Sequence, residues 1–416
     1  MYYAVVWFVV VELLGLLALP LAFRLFHRLP DRGYTLAKPL ALLVLGYSAW
    51  ALGLTRLIPY SQYTLLVLEV LMGALAGLLT WRGRGELRAF LAQERTVILA
   101  SEALFAALFA LWVFVVSHTP EINHTEKPMD FAFLNSILRS RAFPPEDPWL
   151  SGHPVSYYYM GHLMMASLTK LTGIPSSITY NLSLALLPGL VGVAAFGLVY
   201  NLVRLSGART ALGVAFGLAA PLLLLLIGNL EGVLELAHAR GWGSEGFWQW
   251  VSIKGLEGSH QGQPSWFPRE VWWWWRATRV IDTVEGGRSL DYTITEFPYF
   301  SFLLGDLHPH VMSLPFLLLN LALFLDLLLS PDRVGFSWAR AHPWRTLALG
   351  WSLGALAFIN IFDLPVFAAL LAGVVLVKSY RDSGARLAGA LWPAVPLLAP
   401  VYLVAVALYA PFSATL

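Results

Sequence analysis

Residues 1–23 read MYYAVVWFVVVELLGLLALPLAF, with Glu12 as the lone charge. The stretch has no basic n-region, and its apolar run is too long for the core of a cleaved signal, so it reads as a retained transmembrane helix. Glu12 is expected to face other helices and pair inside the bundle, since a lone charge in lipid is costly. Runs of similar length recur near 36–58, 62–81, 96–117, 178–203, 210–228, 309–329, 344–361, 364–379 and 387–410. A shorter apolar piece, Tyr157 to Leu171, reads as re-entrant or interfacial. Alternating barrel periodicity is absent, so helices must satisfy the backbone. The expectation is an all-α polytopic transmembrane bundle of about ten or eleven spans. It divides into N-terminal transmembrane helices over 1–95 and a membrane domain over 96–416, interrupted by two long non-apolar stretches, 118–155 and 229–297.

Composition agrees. Of 416 residues, 58% are hydrophobic and 12% charged, against about 25% charged in soluble domains, and mean hydropathy is +0.66. This excludes a globular cytosolic enzyme. A net charge of +2 leaves no polybasic surface for nucleic acid. With no cysteine, disulfides, thiolate zinc sites, iron–sulfur clusters and cysteine nucleophiles are excluded. No Walker or HExxH motif occurs. GWGSEG at 241–246 fits GxGxxG, but no strand precedes it. Asn123-His124-Thr125 fits a glycan acceptor pattern of high chance frequency.

Short loops orient the spans. Arg24, Arg28, Arg32 and Lys38, then Arg82, Arg84, Arg88 and Arg95, then Arg204 and Arg209, Arg333, Arg340 and Arg345, and Lys378, Arg381 and Arg386 mark cytoplasmic turns. Both long stretches then lie outside, provided Tyr157–Leu171 does not span. That face gathers eight of the ten histidines: His118, His124, His153, His162, His238, His260, His308 and His310. It also holds eight of the 17 tryptophans, between Trp242 and Trp275. Indoles suit a membrane interface or stacking on sugar rings and lipid headgroups, so 229–297 should be ordered structure lying on the membrane.

Within the first stretch, Glu121, Glu126, Lys127, Pro128, Met129 and Asp130 precede FAFLNSILRS, whose spacing predicts a short amphipathic surface helix. Asp130 is placed to cap that helix. Asp130 or Glu126 is equally placed to act as general base toward a lipid-borne substrate. The second stretch ends in EFPYFSFLLGDLHPHVMSLPF at 296–316, where Asp306, His308 and His310 at i, i+2, i+4 project to one side of an extended segment. Pro309 suits the first turn of the next span, whose N-terminus is an anion site. The three side chains are also competent ligands for a divalent metal such as Mg, Mn or Zn. Arg276 and Arg279, three apart, can clamp a phosphate. Glu296, Asn360, Asp363, Asn229 and Glu231 are further polar candidates in the same layer.

The strings EKPMDFAFLNSILRS, FPPEDPWLSGHPVSYYYMGH, LTGIPSSITYNL, WWWWRATRVIDT, EFPYFSFLLGDLHPHVMSLPF and INIFDLPVF together resemble the membrane domain named for its triple tyrosine, DUF2298 or "YYY". The triple is Tyr157, Tyr158 and Tyr159. The resemblance runs from about residue 100 to the C-terminus, and it implies a shortened member of a usually longer family. More distantly, the order of acidic residue, surface helix, Pro-rich turn, Tyr cluster and Leu-Thr-Gly is similar to the first outer loop of GT-C glycosyltransferases. Protein O-mannosyltransferases and lipid A aminoarabinose transferases are of that type. The adjacent Asp-Glu pair usual there is absent.

This resemblance implies a GT-C-like, inverting glycosyltransferase with a polyprenyl-phosphate sugar donor, working on the non-cytoplasmic face of the cell membrane. Glu126 or Asp130 would be the base. Arg276, Arg279, His308, His310 and the following helix N-terminus would meet the departing phosphate, with a metal on Asp306, His308 and His310 as an option. Tyr157, Tyr158, Tyr159, His153, Glu296, Asn360 and Asp363 would line the substrate path. Membrane lipids are the other expected partners, and the acceptor is unspecified. The competing classes are a lipid or polysaccharide transporter of flippase type, which would run polar residues through the bundle near the midplane, and a noncatalytic scaffold.

Overall fold

No water reaches the hydrocarbon core to take up free N–H and C=O groups, so each apolar run must close its own backbone hydrogen bonds. In the computed structural model those runs are helices. The structure describes residues 1–258, 262–270, 273–285, 288–384 and 387–414. In chain order they are α1 (Tyr2–Leu25), α2 (Ala37–Leu54), α3 (Gln62–Gln93), α4 (Arg95–Val116), α5 (Lys127–Arg139), α6 (Met160–Thr172), α7 (Ser176–Leu205) and α8 (Thr210–Pro221). Then follow α9 (Glu231–Ala239), α10 (Glu245–Val251), the antiparallel strands β1 (Asp282–Glu285) and β2 (Arg288–Tyr292), and α11 (Pro298–Leu304). The chain closes with α12 (Pro309–Leu328), α13 (Phe336–Ala341), α14 (Pro343–Ile359), α15 (Asp363–Asp382) and α16 (Leu387–Ser413).

These elements form two compact units, Met1–Pro221 with Asp306–Leu416, and Leu222–Gly305. The parting follows the second long stretch. The helices before residue 95 are bound into the first unit by contacts such as Phe8 stacked on Phe105 and Asp31 bonded to Asn201.

Among the described residues, eight helices are long and apolar enough to cross a membrane. The number is nine if Thr210–Leu226 and Glu231–Ala239, bent by 64°, count as one. Of the other expected spans, the run at 210–228 breaks after Pro221, and α14 has 17 residues, about 26 Å at 1.5 Å per residue, at the short end of the range for a span. Tyr157–Leu171 becomes α6, whose 13 residues reach about 20 Å against a core of about 30 Å. Met160 to Thr169 of α6 are all buried within the first unit. In α3 the helix runs on past residue 81, with non-helical dihedrals at Gly83.

The first unit has two chemically different ends. At one, Arg24 donates to the Leu79 carbonyl (3.2 Å), Arg28 and Arg345 both bind Asp326, and Asp382 takes Lys378 and the Val334 N–H. The arginine clusters belong to this end; Arg386 lies outside the described residues. At the other end, Tyr60 N–H bonds Arg141 O (2.7 Å) and Asn181 bonds Pro120 O (3.0 Å).

Between the ends, small residues set the packing. A Cβ on Gly350 or Gly354 of α14 would stand 2.6 Å from the Val401 or Ala405 carbonyl oxygen of α16. Gly217 of α8 meets Phe196 of α7 in the same way, at 2.8 Å. Glu12 is paired inside the bundle: Lys38 Nζ lies 3.1 Å from Glu12 Oε2 and 2.8 Å from Glu102 Oε2.

The second unit is ordered, as its tryptophans require. Trp248, Ile253 and Leu256 form a small core under α9, and Trp248 Nε1 donates to Trp242 O (3.0 Å). His260 and Trp272 lie outside the described residues.

Candidate active site

The site is built on two helix starts in the first unit. Proline is tolerated in a first helical turn, where its missing N–H costs nothing and its fixed φ suits the helix. Pro128 therefore draws the start of α5 back to Lys127, with Glu126 at the N-cap position. Asp130 is not the cap. It lies one turn inside, its own N–H bonded to Glu126 O (3.1 Å), and its side chain is buried. Ahead of the helix, Thr125 has φ +53°, a left-handed conformation that a β-branched residue rarely adopts and that costs about 1–3 kcal/mol. Its hydroxyl donates to Asp306 Oδ1 (2.7 Å), and Glu126 N–H points at Asp306 Oδ2 (3.4 Å).

The second start is that of α12. The expected extended approach is present, and it turns Asp306 and His308 to the same side. His308, extended at the N-cap, places Nε2 2.7 Å from Glu126 Oε2, while Nδ1 faces Asp306 Oδ2 at 3.7 Å. Glu126 is half exposed, at 54% of its side chain, whereas Asp306 is 1% exposed. Burial pushes the Asp306 carboxyl up to about 6, against the opposing pull of the Thr125 hydrogen bond and of His308. His310 follows in the first turn, with its ring centroid 5.3 Å from that of His308.

The metal option for Asp306, His308 and His310 is not supported by this arrangement. Each nitrogen of His308 faces a different carboxylate, so the ring cannot share one ion with both. Among the described residues no group of three or more His, Cys, Asp or Glu is arranged to hold a metal.

Behind this rim sits a sealed pair. His162 Nε2 lies 3.4 Å from Asp130 Oδ1, and both side chains are 0% exposed. Asp130 Oδ2 and His162 Nδ1 have no hydrogen-bond partner, and the Tyr180 hydroxyl stands beside Asp130 without bonding geometry. Lys127 is also buried, and burial lowers its ammonium pKa while Asp306 and Glu121 raise it.

The triple tyrosine divides. Tyr157 stacks between Phe133 (5.2 Å) and Tyr158 (4.2 Å). Its phenol pKa is raised first by burial, then by Tyr158, then by the charges of Asp130 and Glu126, which places it at the site. Tyr159 belongs to the core, accepting from Trp50 Nε1 (3.2 Å) and packing on Phe358.

Other expected residues are engaged elsewhere. Asn360 donates to Asp363 (2.9 Å), closing the turn between α14 and α15. His153 is exposed on the rim of an open cleft of about 1070 Å³, with Arg56, Arg139 and Arg141. In the second unit, Arg276 is consumed by Glu235 (2.5 and 3.0 Å) and Glu270 (2.5 Å), so it offers no free fork to a phosphate. Arg279 is buried with its guanidinium 4.2 Å over Trp275, and Glu296 accepts from Ser301 in the first turn of α11.

Three carboxylates, Glu126, Asp130 and Asp306, therefore converge with two histidines and one lysine. Such a cluster suits proton abstraction better than anion capture. Sequence reasoning did not assign Thr125, His162, Tyr180 or Lys127 to the site. Only His162 left a signal, as a histidine ending the triple-tyrosine string.

The profile of a family described as an uncharacterized membrane protein (DUF2298) matches residues 44–416. The match begins inside α2, well before the motifs start. No curated protein and no solved structure matches.

Proposed function

The chain belongs to the DUF2298 family of membrane proteins, and from that premise we propose that it is an inverting glycosyltransferase. It takes its sugar from a polyprenyl-phosphate carrier on the non-cytoplasmic face. The observation that carries this reading is the half-exposed Glu126 carboxylate held 2.7 Å from His308, with buried Asp306 behind the ring. A base must reach the proton it abstracts. Glu126 is open to an acceptor and Asp130 is sealed, so Glu126 is the base and Asp130 a positioning residue.

In the reaction the acceptor hydroxyl gives its proton to Glu126, and His308 and Asp306 stabilise that carboxylate's orientation. The acceptor oxygen bonds to the anomeric carbon from the face opposite the phosphate. The anomeric C–O bond breaks, and its electron pair leaves with the polyprenyl phosphate. Tyr157 and Tyr158 offer stacked rings beside the base for the sugar.

The transporter reading keeps one observation, the Glu12–Lys38–Glu102 group within the spans. Its charges are paired with one another, so it gives no open polar path.

The test is release of polyprenyl phosphate from a polyprenyl-phosphate sugar by the purified protein in nanodiscs. Glu126→Gln should lower turnover by about 10²–10⁴-fold while donor binding persists. Full activity in that variant, or failure of any such donor to bind, defeats the proposal. A reporter fused after Ser151 should report the non-cytoplasmic side; a cytoplasmic signal would place the site on the wrong face.

A further inference from the structure

Four arginines from four segments converge on one cavity at the end of the first unit away from Glu126 and His308. Arg24 comes from α1, Arg32 from the turn after it, Arg82 from α3 and Arg345 from α14. The cavity measures about 460 Å³, and Glu86 is the one carboxylate on its wall. Arg24 and Arg82 are exposed, and Arg32 is half-buried. Among the described residues none of these three pairs with a carboxylate. Arg24 donates to Leu79 O (3.2 Å), Arg32 lies over the Phe23 ring (5.0 Å), and Arg82 has no partner. Arg345 shares Asp326 with Arg28, two guanidinia on one carboxylate, and also donates to His27 Nδ1. The His27 pKa is lowered by burial first and then by Arg345 and Arg28, as a positive surrounding requires.

Guanidinium forks match phosphate oxygens two at a time. Orientation of the spans does not explain the arrangement. It needs positive charge near the membrane, which Arg84 and Arg88 supply from exposed positions off the cavity wall. It does not need guanidinia from four segments around a shared space. The level of the cavity is read from α3. Between Leu68 and Phe90 no residue of this helix is buried, and Leu71, Leu75 and Leu78 stand exposed in the three turns before Arg82. Trp81, 69% exposed, ends that run where an interfacial indole belongs. A phosphate seated at Arg82 therefore lies at headgroup level, with the apolar face of α3 leading into the bilayer beneath it. Basic pockets between spans at this level suit anionic headgroups.

From these features we infer that the first unit binds the phosphate headgroup of an anionic membrane lipid in this cavity. The lipid is a phospholipid or a polyprenyl phosphate, since both offer the arginines the same phosphate oxygens. The site is separate from Glu126 and independent of the glycosyl-transfer reading.

The experiment is native mass spectrometry of the full chain released from phosphatidylcholine nanodiscs doped with phosphatidylglycerol. Phosphatidylcholine has no net charge, so the wild-type chain should retain phosphatidylglycerol in preference to it by about tenfold or more. Arg82→Gln breaks no polar contact among the described residues and should lower that preference about tenfold; Arg82→Lys should restore part of it. Arg84→Gln removes an equal charge off the cavity wall and should leave retention unchanged, as should Glu126→Gln. Undecaprenyl phosphate in place of phosphatidylglycerol separates the two sources. Stronger retention of this monoester identifies a polyprenyl carrier, and equal or weaker retention identifies a phospholipid. No preference for either anionic lipid over phosphatidylcholine overturns the inference. So does equal loss in Arg82→Gln and Arg84→Gln, the mark of diffuse charge attraction. Full displacement of the lipid by soluble glycerol 1-phosphate overturns it as well, by showing a site for free anions.

Discussion

Replacing Asp306 by asparagine separates a working carboxylate from a structural one. Burial holds this carboxyl up to about 6, from an ordinary 3.8. At about 1.4 kcal/mol per factor of ten, keeping it ionised at pH 8 costs the fold about 3 kcal/mol. The sign follows from proton uptake. Between pH 4 and 6 the folded state holds this proton more tightly than the unfolded chain, so its contribution to stability is present at low pH. That contribution is lost as pH rises through about 6. An asparagine keeps an oxygen for the Thr125 hydroxyl and carries no charge. Melting curves followed by tryptophan fluorescence from pH 4 to 9 should therefore nearly coincide for the two proteins near pH 4. Above pH 6 they should diverge, with Asp306→Asn melting several degrees higher. Transfer should fall in the same variant, because the carboxylate facing His308 Nδ1 is gone. In the wild type, transfer should decline as pH drops through 6. A variant less stable than the wild type by the same margin at every pH would refute the reasoning, leaving Asp306 as an ordinary hydrogen-bond acceptor.

Three further outcomes follow from the geometry. Asp130→Asn should retain measurable transfer where Glu126→Gln does not, checked side by side in the polyprenyl-phosphate release assay; the opposite order would return the base to Asp130. Lys38→Met leaves Glu12 and Glu102 without their shared cation, and should destabilise the protein by about 3–5 kcal/mol, read as a loss of melting temperature or of folded yield. Gly354→Leu drives a side chain into the Ala405 carbonyl and the Tyr409 ring. It should reduce thermal stability sharply, whereas Gly373→Leu, with open space around it, should not.

The spans were legible because a run of about 20 apolar residues has one stable backbone solution in lipid. The pairing of Asp306 with His308 was also legible, since alternate residues of an extended segment share a side. Other features depended on partners remote in sequence. Glu126 and Asp130 are one helical turn apart, and nothing local says that His162 and Tyr180 close over the second and leave the first open. Pro128 did carry the information that α5 starts early, but the capping pattern was placed after it. Arg276 looked available because Glu235 lies 41 residues away. Tyr159 could not be told from Tyr157, because Trp50 and Phe358, which make it a core residue, lie on other helices.

Asp326 has a mechanical consequence. By holding Arg28 and Arg345 together it joins the end of α1 to α12 and α14, and Asp31 with Asn201 adds α7 to the same knot. Buried charge networks of this kind resist separation, because parting them leaves ions stranded. The knot is at the end of the first unit away from Glu126 and His308. One carboxylate thus fixes three stretches of chain at once, and removing Asp326 would free the end of α1, α12 and α14 together.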